Sequence, residues 1–432
     1  MYIDRIILQN IRGFPLLDFN LKRPDDTYAG WTVFTGDNGS GKSTLLKAIA
    51  ICLTGAETAR ALQPSFRGWI RGGSGETQAS IELHVAGIPD DDGMTGQGRP
   101  RGGPFPAKLV LEQGDQDVSL RAAKPEGVLR NYSTPGRSIW SANASGWFSC
   151  GYGPFRRVFG ASPEAARAMV SPASERFVTM FQEAASLAEV DEWLRTLNHK
   201  KLEGKRAESA QLDLLLGILS DDLLPNQIVV DGVDSDGLWL RDRNGVRLSW
   251  DEMSDGYRAG LALLADILRH LIKVYGFDGL TGTDQDGKSF IKRSGVVLID
   301  EVDAHLHPEW QREIGFWLKR HFPKIQFLVT THSPIICQAA DPNGLFVLPE
   351  PGAEDAPHRL SDENYRTVVA GRPDTILLTP AFGLPNTRSP RAVEARAMLA
   401  KYRSKRRAGA KLSPQEEQTY HQLELFETEE EL

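Results

Sequence analysis

The stretch "WTVFTGDNGSGKSTLLKAIA", residues 31–50, constrains this 432-residue chain more than any other. A β-branched and aromatic run, 31–35, leads into Gly36, Asp37, Asn38, Gly39, Ser40, Gly41, Lys42, Ser43 and Thr44, and a helical pattern over 43–54 follows. A strand, a G-x-x-x-x-G-K-[ST] loop and a helix in that order make a phosphate cradle. The glycines let backbone N–H groups turn toward phosphate oxygens, and the helix start adds a partial positive charge. In such a cradle Lys42 reaches the β- and γ-phosphates and Ser43 ligates Mg²⁺. A glycine-rich turn that matches by chance is the competing reading, and the flanking strand and helix disfavour it.

A second pattern, "GVVLIDEVDAHLHPEW", narrows the chemistry. Asp300 ends an apolar strand, where it can hold Mg²⁺ through water, and Glu301 beside it can orient or deprotonate an attacking water. Two adjacent carboxylates at a buried strand end are costly unless a cation neutralises them. His305 and His307 form an H-x-H pair with no further cysteine or histidine nearby, a weak zinc pattern. "FLVTTHSP" places His332 at the end of another apolar strand, 32 residues after Asp300. A histidine there is a candidate γ-phosphate sensor. Finally, "LSWDEMSDGYRAGLALLADIL" opens an apolar helix with Ser254 and Gly256, 46 residues before Asp300. A serine hydroxyl and free N–H groups at a helix start make a second phosphate-binding element. One nucleotide does not need two such elements in one chain. The economical arrangement is a dimer in which each chain's helix start closes the other's site, and an ordinary N-cap is the alternative.

Composition sets the surroundings. The net charge is −7, so any nucleic-acid contact has to come from a local patch. Cys52, Cys150 and Cys337 are too few and too scattered for a disulfide framework and read as reduced thiols of a cytoplasmic protein. "MYIDRIILQNIRGF" carries charges within its apolar stretch and no cleavage pattern, so it does not read as a signal peptide. No run reaches the ~18–20 apolar residues that span a bilayer. The expectation is an intracellular soluble protein.

Along the chain, residues 2–8 and 31–35 read as strands, and "ASIELHV" and "KLVLEQ" alternate like an antiparallel pair. The linker "AGIPDDDGMTGQGRPRGGPFPAK" between them reads as a mobile loop. Residues 162–220 turn helical; at ~1.5 Å per residue they make a short subdomain and not a long coiled-coil arm. Strands follow at 227–232 and 237–241, then a helix at 254–273 and a polar insertion, "YGFDGLTGTDQDGKSFIKRSG". A strand ends at Asp300, a helix spans 308–320, and "IQFLVTT" is a strand with a helix after 333. The tail reads as two helices around "RRAGAKLSP", with Ser413 as an N-cap.

With all four motifs in order, the chain resembles the ABC-type ATPases of the SMC, RecF and OLD-like superfamily. The opening "IILQNIRGF" is similar to that family's first strand. The resemblance implies an α/β fold, an ABC-type P-loop head with a mixed sheet flanked by helices and an antiparallel β-subdomain. It also implies a short helical insert and a C-terminal helical extension. The corresponding division is 1–160, 161–225, 226–350 and 351–432. ATP and Mg²⁺ are the implied cofactors. Lys42 and Ser43 would bind phosphate and Mg²⁺, Asp300 would hold Mg²⁺, and Glu301 would be the catalytic base. Ser254 would contact the partner chain's γ-phosphate and His332 would sense it in cis. The family's metal-contacting glutamine has no clear counterpart: "FSCGYGPFRRV" lies where that loop should fall, and Gln113 is a weaker candidate. Asp255 replaces a glycine of the common signature, so its side chain has to turn from the phosphate.

"GYGPFRR" and "ILLTPAFGL" are also similar to segments in ATPases of bacterial anti-phage modules of the PtuA type. Four readings compete. A defence ATPase controlling a separate nuclease is favoured over a RecF-like repair ATPase. An OLD-type nuclease half is disfavoured because the residues after "TTHSP" carry no D-x-D at a strand end, so no nuclease activity is expected in this chain. A transporter subunit is disfavoured by the helical insert and tail. Candidate DNA contacts are Arg156, Arg157, Lys401, Arg403, Lys405, Arg406, Arg407 and Lys411, with a solvated helix face as the alternative.

Overall fold

Two sheets of opposite character organise the chain in the computed structural model, which describes residues 1–73, 75–87, 104–124, 134–141, 146–158, 160, 163–350, 352–353 and 355–424. The expected mobile loop falls largely outside these residues. The first sheet is antiparallel and contains β1 (Tyr2–Ile11), β2 (Phe14–Asn20), β4 (Gln78–Ala86), β5 (Phe105–Gln113) and β6 (Val118–Ala122) in the order β2-β1-β4-β5-β6. Its central strands β4 and β5 alternate buried and half-buried positions, as sheets with one face on a core do.

The second sheet is parallel apart from one edge strand. It contains β3 (Gly30–Thr35), β7 (Ser149–Tyr152), β13 (Gly295–Ile299), β14 (Ile325–Thr330), β15 (Leu345–Val347) and β16 (His358–Arg359), in the order β16-β15-β3-β14-β13-β7. Every residue of β13 and β14 is buried, because both faces of this sheet are covered. The period of two divides their side chains between two cores. Val33, Val297, Ile299, Phe327 and Val329 join one, with the helices described below. Phe34, Val296, Leu298, Leu328 and Phe346 join the other, with α1 (Lys42–Leu62) and the antiparallel sheet. Helix α1 is apolar nearly all round because it lies between the two sheets. A buried amide ties the sheets directly: Gln326 of β14 accepts from Ile3 N at 2.7 Å and donates to Ile3 O at 2.8 Å.

Beyond β7, short helices α2 (Pro163–Ala168), α3 (Pro172–Glu175) and α4 (Val178–Phe181) lead to the helical pair α5 (Ala188–Leu202) and α6 (Arg206–Leu219). This pair packs on α7 (Asp255–Tyr275). Between them lies an antiparallel meander of β8 (Val229–Asp234), β9 (Gly237–Arg241) and β10 (Arg247–Ser249). The segment read as a polar insertion contains a hairpin, β11 (Thr281–Thr283) with β12 (Ser289–Ile291), anchored by buried Leu280 and Ile291. Helices α8 (Pro308–His321), α9 (Pro334–Cys337), α10 (Asp362–Ala370) and α11 (Pro373–Leu377) complete the body. The tail is a helical hairpin, α12 (Pro390–Arg407) and α13 (Pro414–Glu424), with Ser413 and Glu416 bonded reciprocally as a capping box. No helix among the described residues is long and apolar enough to cross a membrane.

A buried polar knot fixes α7 to β7. The Tyr152 hydroxyl donates to Asp266 at 2.9 Å, as does Arg269 Nε, and Arg269 also bonds Glu189 of α5 at 2.8 Å. Burial alone would raise the Asp266 carboxyl, but His270, Arg269 and Tyr152 outweigh it and hold the carboxyl well below the usual range. Its contribution to stability is therefore present above the ordinary carboxylate pKa and lost as pH falls through the lowered value. Asp266→Asn is expected to cost about 3 kcal/mol in urea unfolding. The gap from wild type should be similar at pH 7 and pH 5; a gap near zero at both would contradict the role of this knot.

Candidate active site

The register of the parallel sheet brings distant segments to one edge. Ile299 lies opposite Val329 and Tyr152, Thr330 opposite Phe34, and Thr35 opposite Val347. The cradle loop thus leaves β3 beside the acid pair leaving β13, Thr331 and His332 leaving β14, and Gly153–Arg157 leaving β7. Crevices at the carboxyl ends of such strands are where parallel sheets bind ligands.

Within the loop, Gly36 has φ +146, and a Cβ there would collide with the carbonyl of Leu348. Asp37, Asn38 and Gly39 are exposed and Gly41 is half-buried, while Ser40 is buried with no hydrogen-bond partner for its hydroxyl. Lys42 Nζ donates to the carbonyls of Gly36 at 2.7 Å and Asp37 at 2.8 Å. Burial pushes the Lys42 ammonium down, and the charges of Asp300, Glu301, Asp37 and Asp303 act against that push. Ser43 is half-buried in the first turn of α1. Thr44 accepts from Arg12 at 3.2 Å, and the Arg12 guanidinium lies over the Trp69 ring. Arg12 thereby covers the start of α1, a placement for which the sequence carries no local signal.

The acid turn is held from several sides. Asp300 is buried, its N–H donating to Tyr152 O at 2.9 Å. The Thr330 hydroxyl donates to Asp300 Oδ1 at 2.5 Å and accepts from Glu301 N at 2.8 Å. Glu301 adopts φ +45, the left-handed region that a non-glycine residue enters only when its surroundings hold it there. His332 is exposed between two anchored neighbours: Thr331 Oγ1 donates to Asp303 at 2.5 Å and Ser333 Oγ to Gln311 at 2.6 Å. His307 caps α8, its Nδ1 accepting from Glu309 N.

Ser254 is the exposed N-cap residue of α7, yet its side chain makes no capping bond. Asp255 is ion-paired with Arg258 within the first turn of α7, which offsets its charge there. Gly256 lies so close to the His305 carbonyl that any Cβ would collide with it. The start of α7 therefore touches the acid turn. Among the described residues, no hydrogen bond or ion pair joins Ser254 to residues 36–44.

Two expectations are corrected. Arg156 does not face solvent for a DNA contact: it is 5% exposed and bonds the carbonyls of Asp300, Glu301 and Ala304. Lys405 and Arg406 close the tail hairpin instead, each 2.6 Å from Glu416 and Glu417 respectively. Arg157 and Lys401 are exposed, as is Arg407, and Arg403 is half-buried. The segment leaving β7 has no glutamine, and Gln113 ends β5 in the other sheet with its amide donating to Gly114 O.

Two family models match the chain, one described as "AAA domain" over residues 5–117 and one as "AAA domain, putative AbiEii toxin, Type IV TA system" over residues 162–338. The first spans the cradle, and the second spans the signature, the acid pair and "TTHSP". The chain is 26% identical over 349 residues to the Septu protein PtuA of Bacillus mycoides, covering 77% of this chain and 38% of that one. It is 41% identical over 107 residues to the "Retron Ec83 probable ATPase" of Escherichia coli, covering 25% and 18%. A PtuA of Bacillus thuringiensis is 30% identical over 176 residues, covering 40% and 42%. Septu PtuA proteins and retron ATPases are homologues of this chain. It spans less than half the length of each of these curated relatives. Among solved structures, an Smc head bound to the C-winged helix domain of ScpA aligns at TM-score 0.46 and 15% identity, over 85% of this chain and 100% of that one. The fold is α/β, as expected, with a mixed sheet flanked by helices and an antiparallel sheet.

The Thr330 hydroxyl bonds the Asp300 carboxylate and the Glu301 N–H at once. Thr330→Val keeps the shape and removes both bonds. It is expected to lower the unfolding free energy by about 1–3 kcal/mol, measured in urea. An unchanged midpoint would show that the turn is held without it.

Proposed function

We propose that the chain binds and hydrolyses ATP as the ATPase subunit of an anti-phage defence assembly, working as a dimer with shared nucleotide sites and controlling a separate nuclease. The observation that carries the catalytic part is the convergence of the Lys42 cradle, Asp300, Glu301 and His332 at one sheet edge. The homology to Septu and retron proteins supports the defence role, and cytoplasmic location follows from that role.

The residues fit ATP and Mg²⁺. A Cβ would fill the cradle at Gly36, the buried Ser40 hydroxyl has no protein partner, and Lys42 lies across the loop carbonyls. Ser43 and Asp300 supply the oxygen donors that a hard cation takes. Bound Mg²⁺ would draw negative charge from the phosphates. Lys42 binds the phosphate chain. Glu301, held at the end of β13, accepts the proton of the attacking water. His332, exposed at the end of β14, contacts the terminal phosphate from the same chain. Ser254 and Gly256 offer their uncapped helix start to the partner chain's nucleotide. Arg157, Lys401, Arg403 and Arg407 provide the surface cations for DNA. Turnover is slow, as suits a switch that stays loaded until it is triggered.

Two substitutions test this reading. Glu301→Gln should keep ATP affinity within a few fold, lower turnover by about 100-fold or more, and accumulate an ATP-bound dimer in size-exclusion chromatography. Unchanged turnover would remove Glu301 from the role of base. Ser254→Arg should leave ATP binding intact and abolish hydrolysis. If turnover per chain is independent of enzyme concentration and indifferent to that change, the sites are not shared.

A further inference from the structure

We propose that Arg156 is a positioning residue for Glu301, its guanidinium fixing the main chain of the turn that carries the base; this rests on the ATPase reading above. Arg156 Nη2 donates to Glu301 O at 2.9 Å and Ala304 O at 3.1 Å, and Nη1 reaches Asp300 O at 3.5 Å. Among the described residues, its hydrogen bonds all go to main-chain carbonyls and it forms no ion pair. A guanidinium buried to 5% exposure is costly and is not placed in a core for packing alone. Burial pushes its pKa down to about 10, against which Asp303, Asp300 and Glu301 act, so it remains charged at neutral pH.

The turn it holds needs holding. Glu301 has φ +45 and His305 φ +66, two left-handed non-glycine residues within five positions. Thr330 and Thr331 pin this turn from the β14 side, through Glu301 N and Asp303. The start of α7 packs against it at His305. Arg156 supplies the remaining grip, from the β7 side, and it alone binds the carbonyl of Glu301 through a side chain among the described contacts. A planar guanidinium can serve several carbonyls in one fixed geometry, whereas an ammonium on a flexible stem cannot. Displacing a base by about 1 Å is enough to cost up to 100-fold in rate. The segment after β7 thus acts on the base through the backbone.

The test compares Arg156→Lys and Arg156→Met in the full chain with wild type, reading ATP turnover, KM and binding of a fluorescent ATP analogue. Arg156→Met should lower kcat about tenfold or more while KM and analogue affinity stay within about twofold. Arg156→Lys should recover part of that loss, because its ammonium reaches one or two of the three carbonyls. If Arg156→Met does not fold, Arg156→Lys carries the test through its lowered kcat at unchanged KM. Wild-type kcat in either folded variant would overturn the assignment, as would a loss of analogue binding that matches the loss of rate. Unfolding of both would mark Arg156 as a structural support and overturn it too. A wild-type chain that turns over no ATP would instead overturn the ATPase reading, and this role with it.

Discussion

Parallel pairing of the strands that end at Thr35, Tyr152, Ile299 and Thr330 is the constraint on which the rest of the structure depends. It delivers four loops from distant parts of the chain to a single edge. It also decides which side chains enter which core, because a slip of one residue would exchange the two faces of every strand. Val297 and Ile299 would then face α1, and Val296 and Leu298 would face the opposite helices. Two filled cores thus fix the register that brings the cradle and the acid pair to one edge.

At that edge the turn from Asp300 to His305 is the meeting point. Lys42 and Arg156 bring positive charge to three carboxylates, Asp300, Glu301 and Asp303. Hydroxyls from β14, a guanidinium from beyond β7 and the start of α7 all touch the turn's main chain or its acids. Each of these elements therefore contacts the turn that carries Glu301. The segment after α11 reaches the same edge by another route: Thr35, the residue before the cradle, donates its hydroxyl to Ala381 O at 3.3 Å.

Much of this was legible in the sequence because it is local. The cradle, the acid pair and the apolar strands around them are written in short runs of glycine, charge and β-branched residues, and the helix starting at Ser254 is written in its spacing. What was misread depends on long-range pairing. Nothing in "GPFRR" distinguishes Arg156, which turns inward, from Arg157, which stays at the surface. That choice is made by β7 lying beside β13. The hairpin β11–β12 was hidden by its polar turn, with Leu280 and Ile291 too far apart to show a period. Lys405 and Arg406 looked like free charge because their partners, Glu416 and Glu417, come from the next helix.

The central claim is that each nucleotide is gripped by the cradle of one chain and the helix start of the other. Mixing a Lys42→Ala chain with a Ser254→Arg chain tests it most directly. Each alone should be inactive, since every site lacks one half. In a mixed dimer the Ser254→Arg chain keeps its cradle and the Lys42→Ala chain keeps its helix start, so one of two sites is whole. With random pairing, turnover should return to roughly a quarter of the wild-type level. An equimolar mixture no more active than its separate components would contradict the shared site.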